Sequence, residues 1–227
     1  MATKLTILSG GAMRPLLAEA VPLFEHTQGI KAEVRFALTS VLAKEIEEGA
    51  AFDLALLPRP ELDALAAMGA IAPGTQTDIA RSTVGLAVRQ GAPKPDISTV
   101  EALKHALLAA RSIGYSDGPS GAYVTGLLQR LGIAEEVRAK TRLTSGPVAE
   151  LVAAGEAEVG MQQIVAILPV KGAELVGPLP AELQSVIVYA AAMAAAAANP
   201  DAAAAFIGFM TAPEAVRIIR AKGLEPG

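Results

Sequence analysis

The chain has no cysteine and no tryptophan, and only two histidines among 227 residues. Without thiols it can form no disulfide, no thiolate metal site and no cysteine nucleophile. With His26 and His105 alone, a multi-histidine metal centre is not expected. Aromatic residues make up 4% of the composition, too few for the stacking platforms that sugars and single-stranded nucleic acids require. A net charge of −4 leaves no general basic footprint, so nucleic acid is not an expected partner. No Gly-x-Ser-x-Gly elbow, Walker loop or dinucleotide fingerprint is present, and no cofactor is expected. No uninterrupted apolar run reaches the ~18 residues of a membrane span. The nearest, Val186 to Ala198, is short and alanine-rich and stops at Asn199-Pro200. Met1-Ala2-Thr3-Lys4 runs straight into an apolar strand. The expected compartment is periplasmic if a leader has been removed and cytoplasmic otherwise.

What the chain does have is a hydrophobic fraction of 52% and a length sufficient for one large domain or two small lobes with real cores. Its pattern alternates. Leu5–Leu8 reads as a buried strand, Met13–Gln28 as a helix with Leu16, Leu17, Ala20, Val21 and Phe24 on one face, and Ala32–Phe36 as a second strand. A helix over Ser40–Glu48, a strand over Asp53–Leu57 and a short helix over Glu61–Met68 follow. This alternation predicts a parallel sheet covered by helices. Beyond it, Thr83–Arg89, Ser112–Tyr115 and Val159–Gln162 read as strands, and Gly121–Leu131 and Val148–Ala154 as helices. Ser98 with Glu101 has capping-box spacing, and Asn199 is a candidate cap for a helix beginning at Pro200.

Short loops rich in Ser, Thr and Gly stand between strands and helices: Ser9-Gly10-Gly11-Ala12, Leu38-Thr39-Ser40, Pro119-Ser120-Gly121-Ala122-Tyr123 and Thr144-Ser145-Gly146-Pro147. A helix start carries unpaired N–H groups and the positive end of the macrodipole, so such loops converging on one place would hold a small anion. The same hydroxyls at Ser9, Thr39 and Ser40 also suit plain N-caps. Arg14 follows the first loop and Arg59 ends the third strand, positions where open α/β sheets bind ligands. Tyr115 and Tyr123 read as packing residues. Gln162 and Gln163 are adjacent in a strand and must point to opposite faces, so only one of them can meet a ligand.

In order and in loop residues the chain resembles the type II periplasmic binding proteins, in their molybdate-binding branch. The resemblance rests on the opening Leu5–Ala12, on Thr39-Ser40-Val41-Leu42-Ala43-Lys44-Glu45-Ile46, and on Gly49-Ala50-Ala51-Phe52-Asp53-Leu54-Ala55. It continues through Pro119-Ser120-Gly121-Ala122-Tyr123, the Leu151–Gly160 passage with its Gly-Glu-Ala-Glu, and the closing Ala205–Ala215. It implies two α/β lobes, residues 1–83 with 190–227 and residues 84–189, and a ligand cleft between them that closes by hinge motion. It implies ligand contacts from Ser9, Gly10, Gly11, Thr39, Ser40, Ser120, Gly121, Ser145 and Val148, the last because Pro147 has no N–H to offer. An ABC transporter membrane component is the partner it implies.

In that branch a tyrosine and an aspartate follow the strand that ends near Gly160. Here Gln163 stands at the tyrosine position and the aspartate is missing. Together with Arg14 and Arg59, which suit planar carboxylates, this favours an organic di- or tricarboxylate over molybdate. Some relatives of this kind are similar to aconitate isomerases. An enzyme of that type needs a base for an allylic proton, and Asp117 and Glu150 are the candidates.

Overall fold

The computed structural model describes residues 4–116 and 119–227. Two compact units divide the chain, one from Met1–Arg81 and Ile187–Gly227, the other Ser82–Val186.

The first unit opens with β1 (Lys4–Gly10), a 3-10 turn over Gly11–Met13 and α1 (Arg14–Gln28), followed by β2 (Lys31–Ala37), α2 (Thr39–Glu47), β3 (Leu54–Pro58) and α3 (Arg59–Ala67). β1 runs parallel to both β2 and β3. Every residue of β3 from Leu54 to Leu57 is fully buried, as expected of a strand covered on both faces. β2 alternates between exposed and half-buried residues, as an edge strand does. α1 buries Leu16, Leu17, Ala20 and Phe24 at helical spacing and ends on Gly29 at φ 68°, a left-handed conformation that glycine adopts without strain.

β4 (Thr77–Arg89) carries the chain into the second unit. There follow α4 (Val100–Ala109), β5 (Ile113–Ser116), α5 (Pro119–Arg130), α6 (Ala134–Val137), β6 (Thr141–Thr144), α7 (Val148–Ala154), β7 (Val159–Gln163), α8 (Ile164–Ile167) and β8 (Ala173–Pro178). β5 is parallel to β6 and β7, whereas β4 is antiparallel to β7 and β8. Its core joins Leu86, Leu103, Leu107, Ile113, Leu127 and Met161.

β9 (Val186–Met193) returns the chain to the first unit and pairs antiparallel with β3. Its residues Ala190, Ala191 and Ala192 are all fully buried, so the alanine-rich run is a close-packed central strand. α9 (Pro200–Met210), α10 (Pro213–Ala221) and β10 (Glu225–Pro226) complete the unit. Phe206 and Phe209 of α9 meet Phe24 of α1 at ring-centroid distances of 5.0 and 5.5 Å. Three of the five phenylalanines are thereby gathered in one aromatic cluster.

Several local expectations are corrected. The cap of α4 is Thr99, whose hydroxyl accepts the Ala102 N–H at 3.1 Å, not Ser98. Asn199 precedes α9 but makes no capping bond with its side chain. Its carboxamide donates to the Lys4 carbonyl, and its backbone N–H donates to the buried Asp53 carboxylate at 2.8 Å. Asp53 also accepts the Thr6 N–H at 2.8 Å, which ties β1, β3 and the start of α9 together. The sheet is mixed, and the strand that leads into the loop before Pro147 is the short β6, whose bounds no sequence pattern marks. No single helix among the described residues is long and apolar enough to cross a membrane.

Candidate functional site

Parallel strands put their carboxyl ends at one edge of a sheet, and the loops that leave that edge start the covering helices. In the first unit β1, β2 and β3 end at Gly10, Ala37 and Pro58, with Gly10 opposite Ala37 and Ser9 opposite Leu56. Gly10, Gly11, Arg14, Thr39, Ser40 and Arg59 therefore occupy one edge. The first two loops touch: a Cβ built on Gly10 would lie 3.2 Å from Thr39 Oγ1, so a side chain there would press on that hydroxyl. Gly11 faces open space.

The hydroxyls at this edge are not caps. Among the described residues, the 3-10 turn, α1 and α2 start at Gly10, Met13 and Leu38 with no side-chain capping bond. Ser9 is fully buried and its hydroxyl donates to the Leu56 carbonyl at 3.1 Å, stitching β1 to β3. Thr39 is half-buried and Ser40 exposed, at the first turn of α2.

The arginines of this edge differ in state. Arg59 is held by two carboxylates, Asp78 at 2.5 Å and Asp63 at 3.2 Å. These hydrogen bonds, Asp78 first, raise its pKa further above the usual guanidinium range. Arg35 is paired with both oxygens of Glu45, one of them 2.7 Å from Nη2. Arg14 has no carboxylate partner among the described residues. Its guanidinium lies over the Phe36 ring, 4.1 Å from the centroid. A cation held on an aromatic face is fixed in place yet keeps its charge and its hydrogen-bond fork.

Tyr189 on β9 stands opposite Pro58 and is 5% exposed. Burial, and after it the Glu61 charge, pushes its hydroxyl up to about 12.

In the second unit the same rule gathers the loops after β5, β6 and β7. Ser120, Gly121, Ser145, Val148 and Gln163 lie at the carboxyl edge formed by Ser116, Thr144 and Gln163. Gly121 is indispensable there, because a Cβ would fall 1.6 Å from the Ser116 carbonyl oxygen. Ser145 is exposed, in a turn where the Thr144 hydroxyl accepts the Gly146 N–H at 2.9 Å. Val148 is buried at the start of α7.

The adjacent glutamines face opposite sides of β7. Gln162 lies on the side of Gly160, the side that faces Val148 and Val152 of α7, and its Oε1 accepts the Ala149 N–H at 3.1 Å. One of the donors at the α7 start is thus already satisfied from within the unit. Gln163 stands where β7 gives way to α8 and has a polar partner of its own. Tyr115 packs on the core of the unit. Tyr123 donates its hydroxyl to the Leu183 carbonyl, and burial raises its pKa.

Glu150 is exposed in the first turn of α7. Asp117 lies outside the described residues. His26 and His105 are both exposed. No group of three or more His, Asp or Glu among the described residues could hold a metal ion. Phe36, Asp78 and the Glu61–Tyr189 pair belong to no motif in the sequence. An aromatic one strand over from a loop arginine was the available signal for Phe36.

The profile of a family described as bacterial extracellular solute-binding protein matches residues 5–225. An aconitate isomerase from Pseudomonas is 34% identical to this chain over 231 residues, which cover 99% of this chain and 88% of that protein. A Clostridium difficile domain described as the substrate-binding part of a molybdenum ABC transporter superimposes with a TM-score of 0.86 and 18% identity over all of both chains. The periplasmic molybdate-binding protein of Azotobacter vinelandii does so with a TM-score of 0.77 and 20% identity, over 98% of this chain and 99% of that one. At these identities the two structures establish a shared fold, the two-lobed α/β architecture of type II periplasmic binding proteins.

Proposed function

The chain belongs to the bacterial extracellular solute-binding protein family, and we propose that its solute is a small organic di- or tricarboxylate anchored by Arg14. The observation that carries this reading is the Arg14 guanidinium, stacked on Phe36 and without a carboxylate of its own. A guanidinium fork matches a carboxylate with two parallel N–H···O bonds, which a tetrahedral oxyanion held by neutral donors does not need. Thr39 and Ser40 supply hydroxyls at the same sheet edge, and the backbone at Gly11 is open to approach. In the second unit, Ser120, Gly121, Ser145, Val148 and Gln163 are the proposed contacts. The relative at 34% identity acts on a tricarboxylate, which supports the same ligand class. As a receptor the protein would work outside the cytoplasmic membrane and deliver its ligand to an ABC transporter.

The same relative favours a second reading, an aconitate-isomerase-like enzyme. The reaction moves one proton and one double bond. A base takes the proton from one allylic carbon, the double bond shifts, and a proton is returned to the other carbon, with no net gain or loss of atoms. Arg14 would hold a carboxylate during the transfer, with Asp117 or Glu150 as the base.

A thermal-shift panel tests the ligand class. Aconitates and citrate should raise the melting temperature by mass action, whereas molybdate, tungstate, sulfate and phosphate should not. A shift with molybdate and none with carboxylates would overturn the proposal. Incubation with trans-aconitate, followed by chromatography for the cis isomer, separates enzyme from receptor.

A further inference from the structure

A second cationic site lies in the Ser82–Val186 unit, at the edge opposite the loops described above. A cavity of about 930 Å³ opens beside Ser112 and Val159, the residues that lead into β5 and begin β7, and beside Arg89 at the end of antiparallel β4. Ligand-bearing loops leave the other ends of β5 and β7, so this cavity shares no residue with them.

Its charged lining is predominantly basic: Arg89, Lys94, Arg111 and Arg142 with His105, against Asp96 and Glu158. This in a chain of net charge −4 marks a local concentration of positive charge. The partners separate the cations. Lys94 is paired with Glu174 at 2.7 Å and Arg111 with Glu158 at 3.0 Å. Among the described residues, Arg142 has no carboxylate partner and bonds the carbonyl of its neighbour Thr141 at 2.9 Å. Arg89 has no carboxylate partner among the described residues and lies against Gly155, where a Cβ would come within 3.7 Å of its Nη1. Two guanidiniums on one concave wall thus have no carboxylate partner among the described residues.

We propose that this cavity is a second binding site, for a small molecule carrying two or more carboxylate or phosphate groups. The volume falls within the range of about 300–1,000 Å³ typical of small-molecule pockets. Two guanidinium forks suit two separate anionic groups on one ligand better than one isolated charge. Arg111 and Lys94, already neutralised by glutamates, frame the site without competing for the ligand.

The test follows the backbone amide NMR signals of Ser112, Gly155 and Glu158 in the isotopically labelled protein. Citrate and pyrophosphate, titrated separately, distinguish a carboxylate from a phosphate ligand; at least one should move these signals to saturation, and acetate should not. The Arg89→Gln/Arg142→Gln double variant, at exposed positions and with its fold checked by circular dichroism, should weaken the response at least roughly tenfold. Arg14→Ala should leave it in place, which separates this site from the one proposed above. Signals that stay still with both polyanions, that follow acetate as strongly as citrate, or that respond equally in the double variant would overturn the proposal.

Discussion

Arg59 and Asp78 form an ion pair, Nη1 to Oδ1 at 2.5 Å, that joins the first turn of α3 to the start of β4. It binds the arginine that the sequence offers as a carboxylate ligand to a carboxylate of the protein itself. Arg59→Ala should therefore change carboxylate affinity by less than about 1 kcal/mol. Its stability cost should also stay near or below about 1 kcal/mol, because both side chains are more than a third exposed and the pair is screened by solvent. Calorimetric titration and thermal unfolding of the variant check both statements. A loss of affinity above tenfold would show that Arg59 leaves Asp78 to meet the ligand.

Gln162 holds the start of α7 through Ala149 N–H. Gln162→Ala removes that acceptor from a half-buried helix terminus and should cost about 1–2 kcal/mol of stability, read as a lowered melting temperature. A parent-like melting temperature for Gln162→Ala would contradict this role of Gln162.

Ser82 is fully buried and its hydroxyl makes no hydrogen bond to the described residues. Ser82→Ala removes an unsatisfied polar group without changing backbone geometry. It should leave stability unchanged or raise it by about 1 kcal/mol. Chemical denaturation gives the difference directly, and destabilisation would mean that the hydroxyl has a partner in solution.

Both ends of the pH range follow from shifted groups. The Glu158 carboxylate accepts the Arg111 N–H and then its side chain, the Glu45 carboxylate is bonded by Arg35, and the Glu174 carboxylate is bonded by Lys94. Each is held below the ordinary 4.5 of a glutamate, so the folded protein holds fewer protons there than the unfolded chain. Their contribution is complete above that value and is lost as pH falls through the lowered folded values. Tyr189 has the opposite sign. Its pKa is raised from 10.0 to about 12, so its contribution is complete below 10.0 and is lost as pH rises toward 12. Melting temperatures measured across pH should decline on both sides, and Tyr189→Phe should flatten the alkaline decline. An alkaline decline of equal slope in Tyr189→Phe would remove Tyr189 as its source.

The order of strands, helices and loops was legible because Gly, Ser and Thr punctuate an otherwise apolar alternation. What escaped was set by contacts distant in sequence or by strand parity. Arg59 looks unpaired until the fold brings Asp78 beside it, 19 residues further on. Ser98 and Thr99 are both plausible caps of one helix, and only the backbone entry into α4 selects Thr99. Asn199 matches a helix cap by type and place, yet its side chain turns to the Lys4 carbonyl and the buried Asp53 carboxylate. β6, four residues with a polar, exposed pattern, has no periodicity long enough to reveal a strand. Parity indicated that Gln162 and Gln163 face apart; only packing shows that α7 lies on the Gln162 side.

Arg14 is the proposed charged anchor of the ligand, and titration calorimetry of Arg14→Ala against the parent protein with trans-aconitate and citrate tests that role most directly. The arginine stacks on Phe36 at the protein surface, so the fold should survive the substitution. The prediction is a loss of about 2–5 kcal/mol in carboxylate affinity, as expected when one partner of a charged, hydrogen-bonded pair is removed. Parent-like affinity for both carboxylates in Arg14→Ala would contradict it.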